Sequence, residues 1–424
     1  MEENQMVETE ATKEVEVVSE KKVEYWKQII YVMTAGWVAI WVYRTALAPI
    51  YPEISAYFGG ATDSQLGSIS SFYFLGYVLM QIPSGLLVDR FGKKTILIPG
   101  FLLFGLGTMV VGLAQTLPVV YIGSVLAGVG CGTYYGVAYS LTAEHIPSSR
   151  KSLATAIVNS GTAVGSGIGM ISSSYFVAQM GLPWQYMLFF TFFLIITMVF
   201  IFWKFIKGNK ESEAIISHTQ VIVDTPQEKT SFKALMRPQM VGAYCLYFAT
   251  CYAYYLTDTW LPNFLSTERG FEGATIGLAS SMVFFAAIPG ALFFSRIADK
   301  FSHKKVSLII SLEIVAAIML FLAVQAPNQV LLMVGLISYG FFGKLAVEPI
   351  IISWLGEHAP KRGIATTLGF FNFFGMSSSV IVPSLTGAIS DATGSKVYAF
   401  YLSVIIIFVG TAIFYFVNGR KKKA

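Results

Sequence analysis

The chain has 424 residues, of which 55% are hydrophobic, 15% aromatic and only 12% charged, with a formal net charge of +5. A soluble protein carries about twice that charged fraction, so the composition excludes an ordinary soluble domain. The apolar residues come in blocks such as 95–115 and 186–203, each long enough for a helix to cross a bilayer, which takes about 20 residues.

In chain order, residues 1–27 form a polar tail rich in Glu and Lys. It reads as a disordered cytoplasmic segment and not as a cleavable signal. Twelve membrane helices are then predicted, near 28–50, 65–88, 95–115, 118–142, 152–178, 184–206, 239–262, 274–297, 305–325, 328–356, 364–389 and 395–418. The polar stretch 208–238 separates a first half, 28–207, from a second, 239–418, and 419–424 is a basic tail. The predicted fold class is therefore all-α and polytopic. All but four of the 29 Lys and Arg lie in the tails, in even-numbered connections or at the adjacent helix ends. That asymmetry places both termini in the cytoplasm of a cell-membrane protein, and it accounts for the net charge without a nucleic-acid partner. The three cysteines, Cys131, Cys245 and Cys251, all fall inside spans, which argues against a disulfide framework or a Cys metal cluster.

The halves are related. A shift of 210 residues superposes Pro52 on Pro262, Gly67 on Gly277, Asp89 on Asp299, Phe91 on Phe301 and Lys94 on Lys304. A shift of 213 superposes Glu144 and His145 on Glu357 and His358. Matches at one offset in equivalent connections indicate duplication of a six-helix unit, a common plan among secondary transporters.

After the second span the chain reads GLLVDRFGKK, with Gly85, Asp89, Arg90, Gly92, Lys93 and Lys94 at fixed spacing. This resembles the signature loop of the major facilitator superfamily, and a degenerate copy, SRIADKFSHKK, follows the eighth span. Gly85 is expected to let a neighbouring helix approach closely, and Asp89 to accept hydrogen bonds at a helix N-terminus. Arg90 is expected to pair with Glu144, and Lys300 or Arg296, beside Asp299, with Glu357. The resemblance implies that such contacts latch the cytoplasmic side during the cycle.

Four further stretches resemble the anion:cation symporter branch, which includes sugar-acid, phthalate and organic-anion carriers. They are YRTALAPIYPEI from Tyr43, AIVNSGTAVGSGIG from Ala156, WLPNFLSTERGF from Trp260 and GFFNFFGMSSSVIVPSLTG from Gly369. The chain departs from that branch at two acids linked to proton coupling. Tyr43 stands where Asp often precedes the arginine, and Ser124 and Cys131 stand where Arg and Glu often occur in the fourth span. The fifth span also lacks the proline of the drug-antiporter motif.

An ionised group at bilayer depth is costly unless it faces a cavity or a partner, so it is a functional hypothesis by default. Arg44 lies inside the first span and offers a planar fork to a carboxylate or phosphate. Lys344 and Glu348, four apart and so on one helix face, read either as a silent pair or as a second cationic contact with a proton-exchanging acid. Asp258 reads as an outer-gate or coupling acid, and Glu313 as half of a structural ion pair. Asn372, Asn159, Tyr43, Tyr135 and Tyr254 complete the substrate-binding candidates. The four histidines have no metal-ligand spacing, and no nucleotide-binding loop is present. No enzyme activity, cofactor or metal is expected. The reading is a monomeric twelve-helix secondary transporter for a small organic anion, with protons as coupling ion. The alternatives are a zwitterion carrier, an organophosphate:phosphate exchanger and a non-transporting sensor.

Overall fold

The computed structural model describes residues 25–146, 151–208, 235–359 and 364–419. The predicted tail 1–27, linker 208–238 and basic end 419–424 fall wholly or largely outside them. Twelve long helices run through the described residues. They are α1 (Tyr25–Tyr57), α2 (Asp63–Phe91), α3 (Lys93–Gly112), α4 (Leu117–His145), α5 (Lys151–Ser173) and α6 (Gln185–Phe205) in the first half. The second half holds α7 (Pro238–Arg269), α8 (Ala274–Lys300), α9 (Lys305–Gln325), α10 (Gln329–His358), α11 (Ile364–Thr393) and α12 (Val397–Phe414). Each predicted span has its helix, and most helices overrun the predicted ends by a few residues. Hydropathy reports the apolar length of a helix and not the polar turns at its tips.

Local chemistry sets several boundaries. Thr62 and Gln65 form a reciprocal capping box at the start of α2. Gly92 ends α2 and starts α3 at φ +89°, a conformation that a side chain would resist. Gly270 ends α7 in the left-handed region. A short 3-10 turn, Ala48–Ile50, interrupts α1 at Pro49, where proline removes a backbone donor. Within α10, Gly343 breaks the hydrogen-bond ladder between Gln329–Phe342 and Lys344–His358.

Nine of the twelve helices are apolar enough along their length to qualify as spans on composition alone, among the described residues. The other three, α2, α5 and α7, pack against partner helices where backbone contact and polar groups are needed more than apolar surface. Gly161, Gly165 and Gly169 of α5 lie on the α1 carbonyls of Thr34, Val38 and Val42, and a Cβ on any of them would sit 2.6 Å from that oxygen. This spacing of small residues lets two backbones approach in a medium that offers no hydrophobic drive between helices.

The halves meet along α2–α11 and α5–α8. The duplicated glycines fall on these two seams. Gly67 packs on the Pro383 carbonyl of α11, and its counterpart Gly277 packs on the Met170 carbonyl of α5. In each half the first and last helices meet at their ends, since Lys207 N donates to the Tyr25 hydroxyl at 3.1 Å and Asn418 to the Gln239 carbonyl at 3.3 Å. The seams close at the opposite face. There Asp391 of α11 accepts from the first two backbone N–H groups of α2, Asp63 and Ser64, both at 2.9 Å. Lys396 pairs with Asp63 at 2.7 Å.

Candidate functional site

Arg44 is carried into the middle of the bundle by α1 and is only 9% exposed. Its Nε donates to the Tyr73 hydroxyl at 3.1 Å, and Nη2 lies 4.0 Å from Cys131 Sγ. Four rings surround the guanidinium: Tyr77 at 4.5 Å, Trp41 at 4.9 Å, Phe74 at 5.2 Å and Tyr73 at 5.4 Å from their centroids. A desolvated cation gains roughly 2 kcal/mol from a ring face, so the cage holds the charge in place. No carboxylate stands within ion-pair distance of Arg44 among the described residues. Cys131, a neutral thiol, occupies the place where the branch that the sequence resembles often has an acid.

The second half contributes Lys344, the first residue after the break in α10. Its Nζ donates to Glu348 Oε2 at 2.8 Å, and the Tyr247 hydroxyl donates to the other oxygen of that carboxylate. Tyr247 is itself stacked on Phe371 of α11 at 3.8 Å. Lys344 lies 5.0 Å from the Tyr254 ring, which meets Trp41 edge-on at 6.0 Å. The two cations therefore face each other across Tyr254 and Trp41, one ring from each half. The side chain of Lys344 is 10% exposed and that of Glu348 is 24% exposed. A small cavity with room for about one water molecule adjoins Lys344, between Tyr254, Phe284 and Tyr339.

Asp258 was placed by sequence toward the far end of its span. It is 2% exposed, lies within electrostatic reach of both Arg44 and Lys344, and its Oδ1 has no hydrogen-bond partner among the described residues. Asn372 donates to Gln81 of α2 at 3.3 Å, a link between the halves on the side of the chain ends. Gln81 was missed, because a single amide in an apolar helix carries no spacing signal. Tyr43 does not line the space between the halves. It packs within the first half on Phe104 of α3 and on Tyr73, at 5.1 and 5.3 Å, and so supports the residue that holds Arg44. Tyr135 lies edge-on to Trp37 at 6.3 Å, and Asn159 is exposed on α5. Glu313, expected in an ion pair, is 1% exposed and bonded to the Thr250 hydroxyl instead.

The predicted latch is only partly within view. The side chains of Asp89 and Glu144 lie outside the described residues. Arg90 is exposed, 5.2 Å from the Phe91 ring. Gly85 was expected to seat a neighbouring helix, yet among the described residues a Cβ there would meet no atom within 4 Å, and the same holds for Gly136, Gly356 and Gly369. Lys94 donates to the Trp203 carbonyl at 2.6 Å, a cation at the C-terminal turn of α6, and Lys93 is half-buried. Asp299 and Lys300 are exposed, with Lys300 5.6 Å from the Phe301 ring. Glu357 takes neither Lys300 nor Arg296: its carboxylate is bound by Lys305, which also donates to Ser353 Oγ at 2.9 Å. Lys305 sits at the start of α9 facing α10, whereas the exposed tip of α8 turns away.

Two six-helix halves with cations facing each other at their junction, joined by seams that close at the face opposite the termini, define a membrane transporter. The chain belongs to the Major Facilitator Superfamily, whose family model matches residues 33–376 and 243–424. It is 24% identical over 416 residues to a D-galactonate transporter of Escherichia coli O6:H1 (strain CFT073), covering 91% of this chain and 94% of that one. It is 25% identical over 410 residues to a hexuronate transporter of Bacillus subtilis (strain 168), covering 92% and 94%. Among solved structures, it matches a bacterial homologue of the human lysosomal transporter Spinster, in an inward-facing and occupied conformation. That match has a TM-score of 0.76 at 14% identity and covers 94% of this chain and 99% of the other.

Proposed function

We propose that the protein moves a small organic anion, a carboxylate or sugar acid, across the cell membrane by proton-coupled alternating access. In this reading it works as a monomer with both termini in the cytoplasm. The observation that carries the proposal is Arg44, a permanent cation buried between the halves with no carboxylate beside it among the described residues. Such a charge costs several kcal/mol at bilayer depth unless something answers it, and an anionic solute is a partner that comes and goes. The guanidinium keeps N–H donors free of oxygen acceptors in the planar fork that suits a carboxylate.

Lys344 is the second contact. It would trade its bond to Glu348 for one to the solute, while the Tyr247 hydroxyl keeps Glu348 satisfied. The start of the second segment of α10 adds the partial positive charge of a helix N-terminus. Asp258 and Glu348 carry the coupling proton, and the Asn372–Gln81 link closes beneath the solute. The loop residues Asp89, Arg90, Glu144, Asp299, Lys300 and Glu357 would regroup as the termini-bearing ends open and close during the cycle. The relatives that carry D-galactonate and hexuronate support an anion as cargo.

Thermal stabilisation of the purified protein across carboxylates, amino acids and phosphate esters tests the class of solute. Carboxylates are expected to raise the melting temperature, and Arg44→Ala and Arg44→Lys to abolish that rise while the unliganded protein melts near its parent. Stabilisation by carboxylates that survives both substitutions would remove Arg44 from the site. The unpartnered oxygen of Asp258 favours one rival, a zwitterion whose ammonium it would accept. Stabilisation by alanine well above that by propionate would select that rival.

A further inference from the structure

We infer that the indole N–H groups of Trp37 and Trp41, with the amide of Gln81, are a second set of contacts for the solute's carboxylate, lying between Arg44 and the face that bears the termini. The inference rests on the reading of Arg44 as the anion contact and names the groups that take the anion over from it. Trp37, Trp41 and Arg44 are spaced i, i+4 and i+7 on α1, so they share one side of the helix. The two indoles are 4% and 5% exposed, and neither Nε1 has a hydrogen-bond partner among the described residues. A buried donor without an acceptor costs free energy, and most such groups in folded proteins are paired. Trp260 shows the ordinary outcome in this chain, its Nε1 donating to the Pro383 carbonyl at 2.9 Å. A further unpartnered indole, Trp184, lies against Tyr57 and Phe58 at the other end of α1 and stands outside this set.

Both indoles are held in place. A Cβ on Gly161 would come within 3.0 Å of Trp37 Cβ, and one on Gly165 within 2.8 Å of Trp41 Cβ, so α5 packs tightly on both. The Trp37 ring meets Tyr134 and Tyr135 of α4 edge-on at 5.1 and 6.3 Å. The Trp41 ring meets Tyr254 of α7 at 6.0 Å and lies 4.9 Å from the guanidinium. Gln81 is one turn beyond Tyr77 on α2, and Tyr77 is the ring nearest Arg44. Its Oε1 is taken by Asn372 at 3.3 Å, which leaves Nε2, also without a partner among the described residues, as the open end of the amide. The three nitrogens left open are all N–H donors. A carboxylate offers only acceptors, whereas an uncharged polyol brings donors that these groups cannot answer. An anion leaving Arg44 toward Trp41 and then Trp37 would supply the missing acceptors and keep its own charge hydrogen-bonded on the way.

Nitrogen-15 NMR of the full-length wild-type protein labelled at its tryptophan indoles tests this. The probes are D-galactonate, D-glucuronate and lactate, with galactitol as the uncharged control. Trp37→Phe and Trp41→Phe keep an aromatic ring, remove the donor and so assign the two resonances. The expected result is that at least one carboxylate moves both resonances downfield and galactitol moves neither. If no carboxylate moves either resonance, the inference is overturned. The anion reading then stands if those carboxylates still raise the melting temperature through Arg44, and falls with it if they do not. Galactitol moving both resonances as far as the carboxylates do would also overturn the inference, because the indoles would then be answering hydroxyls. As a second measurement, each Trp→Phe variant is expected to bind the carboxylate about tenfold more weakly in calorimetric titration, the size of a lost hydrogen bond to a charged group. Unchanged affinity in both variants would take the indoles out of the anion's path.

Discussion

Asp258 and Arg44 are both buried and lie within electrostatic reach of one another, yet among the described residues no ion pair joins them. Opposite charges held apart in a poorly screened interior still influence each other strongly. An anion arriving at Arg44 removes part of the field that steadies the Asp258 carboxylate, so anion and proton binding favour each other reciprocally. Asp258→Asn is therefore expected to keep carboxylate binding and solute exchange while losing accumulation driven by an imposed pH gradient. Uptake into proteoliposomes with and without that gradient is the check, and full accumulation by the variant would remove Asp258 from coupling. At this scale the sequence was most legible where a polar residue interrupts an apolar helix: Arg44, Lys344, Glu348 and Asn372 stand out for that reason. The rings around them did not stand out. With 22 Tyr, 34 Phe and 7 Trp in the chain, an aromatic residue at helical spacing carries no sign of which way it faces. Tyr43 and Tyr73 illustrate this, since the first turns into its own half and only the second touches Arg44.

The position of Arg44 is a property of its helix as much as of its side chain. The α5 glycines 161, 165 and 169 hold α1 at backbone distance over two turns, and Arg44 sits two residues beyond the Val42 contact. Gly165→Leu would drive a side chain into the Val38 carbonyl and the Trp41 side chain. Overpacking of this kind costs about 1–3 kcal/mol, and it would displace Trp41 from the cage as well. The expected outcome is a melting temperature several degrees lower together with a loss of carboxylate stabilisation, and Gly165→Ala should show both effects more weakly. Unchanged stabilisation in Gly165→Leu would mean that the seam does not set the depth of the site. The seam was visible in sequence as GTAVGSGIG, but only as a resemblance. Small residues four apart show that some backbone comes close, and the identity of that backbone is a tertiary fact. The break at Gly343 was hidden for a related reason. Lys344 and Glu348 mark charge in this span but not a stop in its hydrogen-bond ladder, and Gly343 has an ordinary negative φ.

At the scale of the molecule, the duplication explains why closure at one face takes the form it does. Gly67 and Gly277, one from each repeat, press their helices onto the other half at the face opposite the termini, and Gly387 of α11 adds a third close contact against Asp63. Steric fit alone would hold that face shut permanently, so a transporter also needs contacts there that can be exchanged for water. The charged cluster supplies them. Lys396 is 5% exposed, pairs with Asp63 at 2.7 Å and lies 5.4 Å from the Trp260 ring, while Asp391 caps the start of α2 from across the seam. Removing the cation leaves Asp63 and Asp391 as neighbouring anions with one fewer partner. A buried charged group that loses its partner costs about 1–3 kcal/mol, which corresponds to a shift of roughly tenfold or more in the open-to-closed ratio. Cys131, fully buried beside Arg44, is a native probe of that opening. With Cys245→Ser and Cys251→Ser as background, a membrane-impermeant thiol reagent supplied from the face opposite the termini is expected to label Cys131 about tenfold faster in Lys396→Met than in the parent. The solute should slow labelling in both by occupying the guanidinium beside the thiol. An unchanged rate in a variant that melts normally would show that the glycine seams close this face without help from the charged cluster.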